Sequence, residues 1–287
     1  MGKTLRVIVG IVALLAVNAG AGPARASYPG TNGRIAYLGT RGVIYTVTST
    51  GTGRRQITAA GNNTPTWSPD GKRIAFVRHV DVYTVGANGG PITQVTTSTA
   101  NESEPSWSPD GKYLVFESDR NGATNLYKLR STAPYGTAVN ITGAVAPCGY
   151  AADPTWGTGG YIAFYSCDSR SSSDRAIYEI KPDGTGLRKL MTCTLGCGWL
   201  DWSPKGRAIA YSDGFVVYQY TPSTNTTKQV SQSVAGLDCY DPAWSPAGTQ
   251  IIYVCNSTIW VASPTGLNRH PLLSPGYAPN WQPVPSP

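Results

Sequence analysis

The chain has 287 residues, among them 33 Gly, 22 Pro, 8 Trp and 17 Tyr, with only 14% charged residues. This is too aromatic for a disordered chain and too irregular in its glycine for a fibre, and it favours many short strands joined by turns over helix bundles. The formal net charge is +7, but no basic run and no interleaving of Arg with aromatic residues occurs, which argues against a nucleic-acid partner.

The N-terminus reads apart from the rest. Lys3 and Arg6 precede an unbroken apolar run from Val7 to Val17, and small residues then lead to Ala24-Arg25-Ala26. That order predicts a secretory signal peptide over residues 1–26, cleaved after Ala26. Eleven apolar residues fall short of the roughly 20 that span a bilayer. No cysteine follows the cleavage site, so no lipid anchor is expected. The mature chain, 27–287, reads as one soluble exported domain, secreted or periplasmic. It loses three basic residues and no acid with the leader, which brings its net charge to +4.

Within it a motif recurs. Pro-Thr-Trp67-Ser-Pro-Asp70-Gly returns as Pro-Ser-Trp107-Ser-Pro-Asp110-Gly, and weaker copies centre on Trp156, Trp202, Trp244 and Trp281. The mean spacing, about 43 residues, suits one four-stranded propeller blade. After each Trp turn come alternating segments, such as Arg73–Val77 then Val82–Val85, and Tyr113–Glu117 then Asn125–Leu129. The third unit gives Tyr161–Tyr165 and Ala176–Ile180, with a long loop over 166–175. Asn-Gly, Asp-Gly and Thr-Gly turns join the strands into antiparallel meanders. Gly33–Tyr37 opens a unit that has no Trp strand before it, while Trp281 belongs to a strand with nothing after it. The two parts complete each other. The expected fold is all-β, a six-bladed propeller of four-stranded antiparallel blades, closed by the C-terminal strand joining the N-terminal blade.

Trp-Ser-Pro-Asp-Gly followed by Ile-Ala-Phe, and Glu117-Ser-Asp-Arg-Asn-Gly-Ala-Thr-Asn-Leu-Tyr127, resemble the PD40 (WD40-like) repeat of TolB-type propellers, over about residues 28–283. TolB proteins carry an α/β domain before the propeller, for which this sequence reads no counterpart. The resemblance implies an exported propeller that binds a protein partner without catalysing a reaction. The Trp-Ser-Pro-Asp-Gly element itself is explained structurally. Trp packs between blades, Pro fixes φ, Asp70 and Asp110 accept backbone N–H bonds, and Gly takes φ > 0.

Strand direction distinguishes two faces. If each Trp strand descends, the Ser-Pro-Asp-Gly turns lie on the lower face and the longer loops on the upper, which is the candidate binding face. Six cysteines in an exported chain predict three disulfides. Cys148 and Cys239 precede their Trp in the loop entering a blade, and Cys167 and Cys255 each follow it by eleven residues. The pairs are therefore Cys148–Cys167 and Cys239–Cys255, leaving Cys193–Cys197, for which a redox or metal site is the alternative. Glu104, Asp153 and Asp241 stand three residues before their Trp, with Asp201 and Asp238 nearby. Carboxylates converging on an axis suit a cation or a partner's basic group; local capping of their own loops is the other reading. Tyr150, Trp199, Tyr240 and Tyr277 share these loops and suit a protein or glycan surface, or packing over the blade tops. His79 and His270 fall in different blades, and no H-E-x-x-H, G-x-S-x-G or Gly-rich phosphate loop occurs, so no catalytic residue is assigned. No cofactor is expected, with a structural calcium ion at the channel acids as the alternative. A monomer is expected, with a carbohydrate-binding or carbohydrate-cleaving propeller as the alternative function.

Overall fold

Alternation of apolar and small or polar residues, punctuated by Gly turns, gives six sheets of short strands in the computed structural model, which describes residues 25–168 and 171–285. The predicted leader, as far as residue 24, lies outside the described residues. Blade 1 comprises Asn62–Trp67, Arg73–Arg78, Asp81–Gly86 and Ile92–Gln94. Blade 2 comprises Glu102–Trp107, Tyr113–Ser118, Asn125–Arg130 and Val139–Asn140. Blade 3 is Ala152–Trp156, Ile162–Asp168, Ser171–Ile180 and Arg188–Thr192. Blades 4 and 5 follow, with inner strands Cys197–Trp202 and Cys239–Trp244. Blade 6 takes its inner strand, Tyr277–Val284, from the C-terminal end and its other three, Thr31–Leu38, Ile44–Val47 and Arg55–Gln56, from the N-terminal end. Each inner strand touches the next, and that of blade 6 touches that of blade 1, so the ring is closed.

One expectation changes. The long loop predicted over 166–175 is largely strand, because the second and third strands of blade 3 continue pairing through Cys167↔Arg175 to Asp168↔Ser171.

The core lies between blades. Each of six apolar clusters joins two neighbours and contains the Trp of one of them, as where Ile74 and Phe76 of blade 1 meet Leu38 and Ile44 of blade 6 around Trp67. Trp67 and Trp107 are almost fully buried. Burying such a ring removes about 150–250 Å² from water, or about 4–6 kcal/mol of hydrophobic driving force. The turns beneath behave as the motif requires. Asp70 Oδ1 accepts Ser68 Oγ–H at 2.6 Å and Lys72 N–H at 3.1 Å, and Asp110 repeats both bonds with Ser108 and Lys112.

A candidate functional site at the upper channel mouth

Two residues before the Trp, five of the six inner strands carry proline: Pro65, Pro105, Pro154, Pro242 and Pro279, with Leu200 in blade 4. Proline offers no N–H to the ladder, so a strand holding it bulges. The register with the neighbouring strand shifts at this point in every blade. The residue ahead of it is left-handed each time: φ is 48° at Thr64, 52° at Glu104, 51° at Asp153, 54° at Trp199, 60° at Asp241 and 49° at Ala278. A non-glycine residue there costs about 1–3 kcal/mol, so the surroundings must hold it. They do so by capturing the N–H that the bulge releases.

The captor usually comes from the preceding blade. Glu117 Oε1 accepts Asp153 N–H at 2.6 Å, Asp153 Oδ2 accepts Trp199 N–H at 2.7 Å, and Asp241 Oδ2 accepts Ala278 N–H at 3.1 Å. Thr64 N–H goes to Asn63 Oδ1 beside it. Asp153 and Asp241 thus hold backbone N–H groups of the following blade. Glu104 is buried at the same level of blade 2. Asp238 is exposed.

A second ring lies two residues lower, just before the Trp. There Asn280 Oδ1 accepts Trp67 N–H at 2.8 Å, Ser106 Oγ accepts Trp156 N–H at 3.1 Å, Thr155 Oγ1 accepts Trp202 N–H at 3.1 Å, and Asp201 Oδ2 accepts Trp244 N–H at 2.6 Å. Asp201 is therefore a blade-to-blade connector as well as an axial charge.

Electrostatics follow from burial. Desolvation pushes Glu117 up to about 6, although Asp153 N–H and Ser103 Oγ–H bond to it. Asp153 is raised well above the usual carboxylate range, first by burial, then by Glu117 and, across the axis, by Asp241. Its Oδ1 is buried without a hydrogen-bond partner.

Above the acids lie the predicted aromatics. Trp199 is the left-handed residue of blade 4, and its ring tilts against Tyr240 of blade 5 with centroids 5.4 Å apart. Tyr277 of blade 6 bonds Ser257 Oγ at 2.7 Å. Tyr240 and Tyr277 root in the cluster between blades 5 and 6. Tyr150 packs on the cluster of blades 3 and 4, 3.0 Å from Tyr165 through their hydroxyls. All four are half-buried, so they pack over the blade tops and still offer ring surface. Trp199, Tyr240 and Tyr277 form a strip across three adjacent blades; Tyr150 lies apart from it. Burial, with Asp241 beside it, pushes the Tyr240 hydroxyl up to about 12.

The disulfides are Cys148–Cys167, Cys193–Cys197 and Cys239–Cys255, and no described cysteine is free. The small Cys193–Cys197 loop is held structurally: Asp213 accepts N–H bonds from Thr194 and Leu195 at 2.8 and 2.7 Å. Among the described residues no group of three or more His, Cys, Asp or Glu is placed to hold a metal ion. His79 and His270 are both exposed, in a turn of blade 1 and the outer strand of blade 5.

Sequence reasoning missed three features. Glu117, quoted above only as part of the repeat, was given no role, because its bond to Asp153 N–H crosses to the next blade. Ser27 and Tyr28 enter the axis: Ser27 Oγ–H can reach Asp201 Oδ2 at 2.8 Å or Trp244 O at 2.7 Å, and Tyr28 OH donates to Trp107 O. The third is a cleft of about 800 Å³ on the lower face between blades 3 and 4. It opens where Gly157-Thr-Gly-Gly160 replaces Ser-Pro-Asp-Gly, and Trp202, Arg207 and the Glu179–Arg188 ion pair line it.

Residues 31–147 match the family described as the TolB β-propeller domain, PD40. Among solved structures, TolB from Acinetobacter baumannii superposes with a TM-score of 0.72 at 21% identity, over 88% of this chain and 67% of that one. A putative TolB from Agrobacterium tumefaciens gives 0.64 at 19% identity, over 86% and 91%. An oligogalacturonate lyase from Vibrio parahaemolyticus gives 0.55 at 14% identity, over 89% and 79%. At these identities the likeness is one of fold. No curated protein matches by sequence.

Proposed function

With a TolB-like propeller as the scaffold, we propose that this protein is exported, loses residues 1–26 by cleavage after Ala26, and acts as a non-enzymatic, monomeric scaffold that binds a protein partner in the cell envelope or outside the cell. The observation that carries the reading is the aromatic strip of Trp199, Tyr240 and Tyr277, half-buried on three neighbouring blades beside buried axial carboxylates. Amphipathic rings held on a rigid ring of sheets present area at low entropic cost, which is what protein interfaces select. Three disulfides suit an oxidising compartment. Among the described residues no helix is long and apolar enough to cross a membrane.

Affinity capture tests it. The mature protein and its Trp199→Ala/Tyr240→Ala double variant are incubated with envelope and secreted fractions of the native host. A protein retained by the wild type and lost by the double variant is expected. Equal retention by both would sink the assignment. The acids make poor probes, because Asp153 and Asp241 hold the next blade's backbone.

The carbohydrate reading draws support from the lower cleft rather than the upper face, since an aromatic floor flanked by Arg207 and the Arg188–Glu179 pair suits a sugar ring. Glycan binding lost in Arg188→Ala and kept in the Trp199/Tyr240 double variant would favour it.

A further inference from the structure

Glu117, Asp153, Asp201 and Asp241 are buried on inner strands or beside them, and the N-terminal segment of the chain runs along one of those strands. Arg25 and Ala26 lie parallel to Asp201 and Trp202 of blade 4, paired Arg25↔Asp201 and Ala26↔Trp202. The two-residue strand also touches the inner strands of blades 2 and 3. Ser27 Oγ then lies within hydrogen-bond reach of both Asp201 of blade 4 and Trp244 of blade 5, and Tyr28 bonds Trp107 of blade 2. A segment in contact with four blades at once lies on the axis. Ser27 and Tyr28 are both 3% exposed.

Direction matters here. Asp201 to Trp202 descends with its inner strand, so the parallel segment also descends, and Ser27 is entered from the upper side. Cleavage after Ala26 would therefore create the new α-amino group inside the channel, on the residue whose hydroxyl lies 2.8 Å from Asp201 Oδ2, with Asp153, Glu117 and Asp241 higher along the axis. We propose that the mature N-terminal ammonium of Ser27 is the resident ligand of this axial acid site, paired with Asp201. This rests on the leader reading. A buried carboxylate is tolerated when a charge pairs with it, and an ammonium brings three donors to the site.

The test uses the full chain, exported and purified from a host that processes it. Peptide mass spectrometry first locates the new N-terminus; a start at any residue other than Ser27 overturns the leader reading and the inference with it. The folded protein is then acylated at pH 7 with a succinimidyl ester, taking as internal reference Lys112, whose side chain is 75% exposed. A free α-amine, with a pKa near 8 against about 10.4 for lysine, would react ahead of Lys112. The expected result is acylation of Ser27 at least about tenfold slower in the folded protein than in urea, as one unit or more of raised pKa implies. Equal rates folded and unfolded would overturn the proposal while leaving the leader reading intact. Asp201→Asn keeps an acceptor for Trp244 N–H, as Asn280 shows for Trp67 at the same repeat position, but removes the charge. Faster acylation of Ser27 in that variant supports the pair; protection unchanged from wild type would refute the role of Asp201.

Discussion

Replacing Glu117 by Gln should stabilise the protein at neutral pH, although it removes a buried hydrogen-bonded carboxylate. Burial pushes Glu117 from an ordinary 4.5 up to about 6, so the folded state binds this proton more tightly than the unfolded chain. Its stabilising contribution is full below about pH 4.5 and is lost as pH rises through 6, the opposite of a salt-bridged acid. The shift corresponds to about 2 kcal/mol at pH 7. Gln keeps a carbonyl oxygen for Asp153 N–H, now at 2.6 Å, and the Ser103 hydroxyl at 2.9 Å can turn to accept from the new amide. Losing the Glu117 charge also relieves Asp153, which it raises. Asp70 and Asp110, pulled below the ordinary range by their turn hydrogen bonds against the effect of burial, titrate below this window, whereas Glu102 and Asp153 are raised like Glu117, so the reading is the difference between the two proteins. Urea unfolding followed by Trp fluorescence from pH 4.5 to 7.5 should show wild-type stability falling with pH and a flatter line for the variant, which is the more stable of the two at pH 7. A variant less stable at pH 7 with the wild-type slope retained would refute the reasoning.

Other perturbations test the blade contacts. Asn280→Ala orphans the buried Trp67 N–H where blade 6 meets blade 1 and should cost about 1–3 kcal/mol in urea unfolding. Gly157→Ser installs the residue that follows Trp in four other blades, yet a Cβ there would lie 2.8 Å from Trp202; melting should show a loss of about 1–3 kcal/mol rather than a gain. Cys239→Ser/Cys255→Ser removes a link between directly paired strand positions and should cost about 2–4 kcal/mol without changing the circular-dichroism signature of the sheets.

The architecture was legible because its signals are covalent and periodic. Gly33–Tyr37 without a Trp strand and Trp281 without followers announce the closure, and the repeat positions of Cys148, Cys167, Cys239 and Cys255 fix two disulfides before the third falls out. The site was less legible because its contacts cross between blades. Thr155, Asp201 and Asn280 share a position and a function as acceptors but no chemical identity, so a motif search passes over them. Asp153 and Asp241 look like caps of their own loops, since nothing in one chain segment says that the released N–H belongs to the next blade. The strands extending into 166–175 escaped for a related reason: pairing across the hairpin outweighed a polar, Ser-rich composition.

Site-specific photocrosslinking in the native host tests the central claim most directly. A benzophenone side chain would replace Tyr240 on the upper face, and Lys205 in an exposed lower turn as the control. The proposed scaffold predicts a discrete protein adduct from position 240 and none from 205. Adducts from 205 alone, or none from either position, would contradict it.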